Sequence, residues 1–133
     1  MGTWAIDALG NDDAADWLSD LYDGDSLKLI EQTLSSVLVE DYLDAGPAKE
    51  ALAAAEAVAY LQGRPDGAVP IEVEVEAWAR SSKLVPTPGI VEKAHEAIDR
   101  ILADESELRD LWQHSDELET WKASVLNLRS RIR

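Results

Sequence analysis

An alanine-rich stretch near the middle of the chain limits the possible folds more than any other feature. It runs from Pro47 to Gln62, and Gly63 and Pro65 follow it as helix stop signals. Its apolar residues cover most of the circumference of a helix, which requires neighbours on nearly every side. Small side chains let those neighbours approach closely. We therefore expect a central helix at 47–62.

The rest of the chain shows helical spacing of apolar residues, with capping residues at the predicted helix starts. The first helix is expected to begin after Asn11 and to stop near Asp23, and the second to end in a turn at 44–46. The other predicted starts lie at or just after Asp25, Thr87, Ser106 and Ser115. We predict an all-α fold: one domain, residues 1–133, of six or seven helices around the alanine-rich helix.

One segment is ambiguous. Residues 69–76 alternate between apolar and acidic or proline side chains, which is typical of a strand. No second strand is evident to pair with Ile71–Val75. A helix beginning at Pro70 would place Ile71, Val75 and Trp78 on one face, so we predict a helix.

The last predicted helix carries an apolar seam with heptad spacing, formed by Leu118, Trp121, Val125, Leu128 and Ile132. It spans only about two heptads. Packing on the body of the domain is the favoured interpretation. The alternative is a structural homodimer that pairs through this seam.

The charge is strongly negative and unevenly distributed. The chain has a formal charge of −15, and its first 60 residues hold thirteen acids against Lys28 and Lys49. No acid follows Glu119, while four bases do. Phosphate backbones repel such a surface, so we expect no nucleic-acid partner. Either the basic end folds back on the acidic first helix, or the acidic side stays open for a basic protein; we predict the open side.

Six residues are candidate binding residues. Trp4 could contribute to a ligand site with Asn11, Asp12 and Asp13, or it could pack under the first helix that Asn11 caps. Asp16 lies one turn further along the same helix. Glu56 interrupts the alanine-rich run; it is either a buried functional acid or a partly exposed acid paired with a base.

Cofactor, metal and membrane binding are not expected. The chain has no cysteine, and Glu92-Lys93-Ala94-His95 is a single Glu-x-x-His unit where a di-iron bundle needs two. The longest apolar run, Ala51–Leu61, contains Glu56 and is shorter than the about 20 residues that span a bilayer. The first residues show no secretory signal. We expect a cytoplasmic protein.

Several segments resemble the bacterial domain-of-unknown-function family 4259. They are Met1-Gly2-Thr3-Trp4, Leu9 to Trp17, Ala53 to Ala59, Gly63-Arg64-Pro65, Pro70 before a tryptophan-bearing segment, and Ser106 to Trp112. The chain departs from the family pattern at Ala5 and Asp7, where glycines are typical, and at Leu9, where an aromatic residue is typical. The resemblance implies a small, helical, bacterial, cytoplasmic protein and carries no activity.

No catalytic grouping is visible in the sequence, so an enzyme is not the favoured interpretation. The favoured function is a non-catalytic acidic interaction domain, with immunity-like capture of a basic protein as one form. The alternatives are the homodimer and a carboxylate-based enzyme or small-ligand binder that uses Asp12, Asp16 and Glu56.

Overall fold

A computed structural model describes residues 11–63 and 73–133. Within these ranges the chain forms seven α-helices and no β-strand. The helices are α1 (Asp12–Asp23), α2 (Ser26–Ser36), α3 (Ala45–Leu61), α4 (Val73–Ser82), α5 (Pro88–Leu102), α6 (Glu107–Gln113) and α7 (Leu118–Arg131). The all-α class is thereby confirmed.

The alanine-rich helix α3 is the centre of the structure. It packs against each of the other six helices, and every residue from Ala51 to Tyr60 is buried. Alanine lets helix backbones approach closely, so one helix can accept neighbours around its whole circumference. The helix ends at Leu61, and Gly63 follows in the left-handed region at φ 73°. The prediction of a central alanine-rich helix is confirmed.

Two predicted helix boundaries near α3 are wrong. The second helix ends at Ser36 rather than near residue 44, and α3 begins at Ala45 rather than at Pro47. In the intervening loop, the Leu43 backbone pairs with the loop between α5 and α6. Its N–H donates to the Glu105 carbonyl, and its carbonyl accepts from the Glu107 N–H, both at 2.8 Å. This pairing holds residue 43 out of helical geometry.

The ambiguous segment is helical where the structure describes it. Helix α4 is described from Val73 onward and packs on α3, with Val75 buried and Trp78 half-buried on that side. Ile71 and the predicted start at Pro70 lie outside the described residues. The helical interpretation is therefore confirmed from Val73 onward.

The apolar seam of α7 faces the body of the protein. Trp121, Val125, Leu128 and Ile132 are each at most 4 % exposed, and α7 packs on α3, α5 and α6. The indole of Trp121 stacks on Trp112 of α6, with ring centroids 6.0 Å apart. The helix begins at Leu118 after Glu117, whereas we predicted Ser115 as its cap. Ser115 instead accepts from the Glu117 N–H at 3.0 Å, within the preceding turn.

Candidate protein-binding surface

Asn11 caps α1, and the apolar residues after it determine which side of the helix faces solvent. Its side-chain Oδ1 accepts from the Ala14 N–H at 2.8 Å, which satisfies one of the unpaired donors of the first turn. Ala14, Trp17 and Leu21 then face the core. Inside the protein, Trp17 Nε1 donates to Thr33 Oγ1 of α2 at 2.8 Å. This rotation of the helix directs its aspartates outward.

The exposed side of α1 is a row of carboxylates. Asp12, Asp16 and Asp20 are four residues apart and exposed, so they lie on one face of the helix. Within residues 11–63 and 73–133, none of the three forms a side-chain ion pair. Asp13, on the flank of this row, pairs with Lys49 at 3.5 Å.

Glu50 of α3 joins this row of carboxylates. Partial burial raises the pKa of Glu50, and the negative charges of Asp13 and Asp20 raise it further. These two aspartates thus lie within electrostatic range of Glu50. We call Asp12, Asp13, Asp16, Asp20 and Glu50 the α1 acidic face. Sequence reasoning missed Glu50, although an acid beside Lys49 near the start of an alanine-rich helix was a usable signal.

The basic C-terminal residues do not neutralise the α1 acidic face. Arg129 donates two hydrogen bonds to Asp99, at 2.9 and 3.0 Å. Arg131 donates two to Glu56, at 2.6 and 3.2 Å. The backbone N–H and carbonyl of Arg133 are bound by the side-chain amide of Gln62. In the described part of the chain, Lys49 provides the one cation shown in a salt bridge with this face.

Glu56 lies in a structural ion pair. Its side chain is 9 % exposed, that of Arg131 is 14 % exposed, and both carboxylate oxygens accept from the guanidinium. Pairing with a base was one of our two interpretations, but Glu56 is buried rather than partly exposed. The partner comes from α7, 75 residues later in the chain. No sequence signal connected the two residues.

The carboxylates of the enzyme hypothesis lie in different surroundings. Asp12 and Asp16 are exposed on α1, whereas Glu56 is buried against α7. Helix α1 packs on α2 and α3 and makes no extensive contact with α7. Trp4, the remaining predicted site residue, lies outside the described residues.

Two surface cavities lie elsewhere. One, of about 400 Å³, lies between the start of α5 and the end of α7, with Glu92, His95 and Arg133 in its wall. The other, of about 370 Å³, lies between the end of α3 and α4. None of the predicted site residues lines either cavity.

The described ranges contain neither a metal-binding cluster nor a membrane-spanning helix. No group of three or more histidine or acidic side chains has an arrangement suited to a metal ion. No helix there combines the length and the apolar character that crossing a bilayer requires.

Comparison with known families supports the resemblance seen in the sequence. The family model described as "Domain of unknown function (DUF4259)" matches residues 2–124, which is most of the chain. The chain belongs to this family. No curated protein and no solved structure gave a significant match to this DUF4259 domain. Its chemistry therefore has to be argued from its own surfaces.

Proposed function

We propose that this DUF4259 domain is a non-catalytic interaction domain of the bacterial cytoplasm that binds a basic protein through the α1 acidic face. The observation that carries the proposal is the row of exposed carboxylates at Asp12, Asp16 and Asp20, none of which forms a salt bridge within the described residues. Beside them lies Glu50, whose pKa is raised by partial burial and by the charges of Asp13 and Asp20. Immunity-like capture of a basic toxin is one form that such binding would take.

Electrostatics favours a role for the α1 acidic face in partner binding over a role in stabilising the fold. Clustered like charges destabilise a folded chain by mutual repulsion, and a bound cationic partner would relieve that repulsion. The same charges steer an oppositely charged partner and raise its association rate above the usual range for protein pairs. Arg129 and Arg131 of α7 form salt bridges with Asp99 and Glu56 rather than with this face, which favours an external cation as its partner.

The first experiment is affinity purification of the domain from its native host, followed by mass spectrometry. We expect a basic protein in stoichiometric amount. Association is then measured by stopped flow at 0.1 M and 1 M salt, between which the Debye length falls from about 10 Å to about 3 Å. The association rate should fall steeply over this range.

A matched pair of triple variants assigns the binding to the face. One changes Asp12, Asp16 and Asp20 to asparagine; the control changes the exposed Glu74, Glu92 and Glu96 to glutamine, which alters the net charge equally. Only the first should slow association strongly. Equal effects of the two variants, or an association rate insensitive to salt, would contradict the proposal.

Two observations favour the interaction domain over its alternatives. The seam proposed for a homodimer is buried against the chain's own helices. Both oxygens of Glu56, the one buried acid of the enzyme hypothesis, are bound by Arg131. The interaction domain is therefore the function that the described surfaces support best.

A further inference from the structure

A second exposed surface lies where two loops run side by side. The loop before α3 pairs through Leu43 with the residues that begin α6, and Leu43 and Ser106 form a parallel bridge. The first turn of α3 is also bound to α6, since the Ala45 N–H donates to Glu107 Oε1 at 2.8 Å. These contacts hold Tyr42 beside α6 in a fixed position.

Arg100 joins the same two loops without neutralising their acids. Its guanidinium donates to four main-chain carbonyls, those of Glu40, Asp41, Asp104 and Glu105, at 3.0 to 3.2 Å. Within residues 11–63 and 73–133, Arg100 forms no salt bridge with the side-chain carboxylates of those residues. Only Asp104 among them has an ion pair within the described residues, with Arg109 at 3.1 Å.

The outer side of this junction combines an aromatic ring, an aliphatic side chain and several carboxylates. Tyr42 is 44 % exposed and Leu111 is 40 % exposed. Glu107, Asp110 and Leu111 share one face of α6, whereas Leu108 and Trp112 on the opposite face are buried. Exposed large apolar groups among charged residues are typical of a contact surface.

Backbone pairing brings four acidic residues near Tyr42. Asp44 and Glu105 flank the bridge between Leu43 and Ser106, and Glu107 and Asp110 lie in the first turn of α6. Partial burial of the phenol raises the pKa of Tyr42, and Asp110, Glu107, Asp44 and Glu105 raise it further through their negative charge. We call Tyr42, Leu111, Asp44, Glu105 and Asp110 the Tyr42 patch. Glu107 is not counted in the patch, because its Oε1 already accepts a hydrogen bond from the Ala45 N–H.

We propose that the Tyr42 patch docks an arginine-bearing segment of the partner protein. An arginine guanidinium can stack its plane on an aromatic face while its edge donates hydrogen bonds to carboxylates. The ammonium of lysine has no planar face to stack on the ring. The patch presents both groups together, with Leu111 to contact the aliphatic stem. Tyrosine is among the residues that most often anchor interfaces.

The patch is a separate surface from the α1 acidic face, because α1 makes no extensive contact with α6. The inference rests on the proposed function only for the positive charge of the partner. The Tyr42 patch would be a second contact with the partner protein, and it would select arginine over lysine. The two proposals can therefore fail independently.

The test is a ¹⁵N NMR titration of the whole domain with a capped tetra-arginine peptide, with a capped tetra-lysine peptide as the matched probe. We expect saturable shifts at Tyr42 and at residues 105–111, and several-fold weaker binding of the lysine peptide. Tyr42→Ala should weaken arginine binding at this site by about threefold to thirtyfold, the range of a cation–π contact. Tyr42→Phe, which keeps the ring, should bind as the wild type does.

A second pair of variants distinguishes direct contact at the Tyr42 patch from attraction to the overall negative charge of the domain. Asp110→Asn should weaken peptide binding at the patch, whereas Asp16→Asn, which removes the same charge on α1, should not. Shifts confined to residues 12–23 would overturn this inference and leave the proposed function standing. Equal affinity of Tyr42→Ala and wild type for the arginine peptide, with both folded by circular dichroism, would overturn it as well.

Discussion

Replacing Glu56 by alanine should destabilise the domain by about 3–5 kcal/mol, the usual cost of leaving one partner of a buried ion pair without the other. Both hydrogen bonds to Arg131 would be lost, and the guanidinium, with its side chain 14 % exposed, would have little access to water. Such a loss is a large fraction of the free energy of unfolding of a typical domain, which is about 5–15 kcal/mol.

Urea denaturation followed by circular dichroism measures the effect. For a slope of about 2 kcal/mol per molar urea, a loss of 4 kcal/mol lowers the unfolding midpoint by about 2 M. The control is Asp99→Ala, which breaks the equally bidentate but exposed pair with Arg129. That variant should lose no more than about 1 kcal/mol.

A double-mutant cycle tests the cause. Once Glu56 is alanine, replacing Arg131 by alanine should cost much less than it does in the wild type, because the hydrogen bonds between Glu56 and Arg131 are already lost. If Glu56→Ala destabilises no more than Asp99→Ala, our reasoning about burial is refuted. If Glu56→Ala leaves stability intact but abolishes partner binding, Glu56 is a functional acid.

Three further predictions concern α1 and its contacts. Thr33→Val leaves the buried Trp17 indole N–H without its acceptor and should cost about 1–3 kcal/mol in thermal unfolding; a change under about 0.5 kcal/mol would contradict this. The pKa of Glu50 is higher in the folded state than in the unfolded chain. Ionised Glu50 therefore lowers the free energy of unfolding at pH values above its folded-state pKa. This destabilisation disappears as the pH falls to the pKa of glutamate in the unfolded chain, near 4.3. Glu50→Gln should therefore stabilise the domain at pH 7 but not at pH 3.5, and an equal effect at both pH values in urea unfolding would refute the reasoning. Trp4→Ala should cost about 2–4 kcal/mol if Trp4 packs under α1, whereas unchanged stability with lost partner binding would indicate a contact residue.

Helix starts that depend on short-range bonds were predictable. Asn11, Asp25 and Thr87 each accept from a backbone N–H three residues later, so cap and helix lie within one short stretch of sequence. Aspartates with helical spacing on α1 likewise indicated an acidic face. The alanine-rich composition of α3 already implied that other helices would surround it.

The Tyr42 patch could not be predicted in the same way. Tyr42 comes close to α6 only because the Leu43 backbone pairs with Glu105 and Glu107, more than 60 residues later. Arg100 binds four carbonyls in two loops, which no pattern in its own helix indicated. Backbone pairing of this kind is independent of side-chain type, so it leaves no mark in the sequence.

The sequence by itself determined the helical class, the central place of α3 and the outward row of acids on α1. These follow from composition and from the 3.6-residue period, which act over one or two turns. Only the tertiary structure decided where α2 ends, where α3 begins, and which acid each arginine of α7 binds. The Glu56–Arg131 pair joins residues 75 positions apart, and its geometry exists only once α7 has packed on α3. Local rules cannot specify such a contact, because it depends on how whole helices pack against one another.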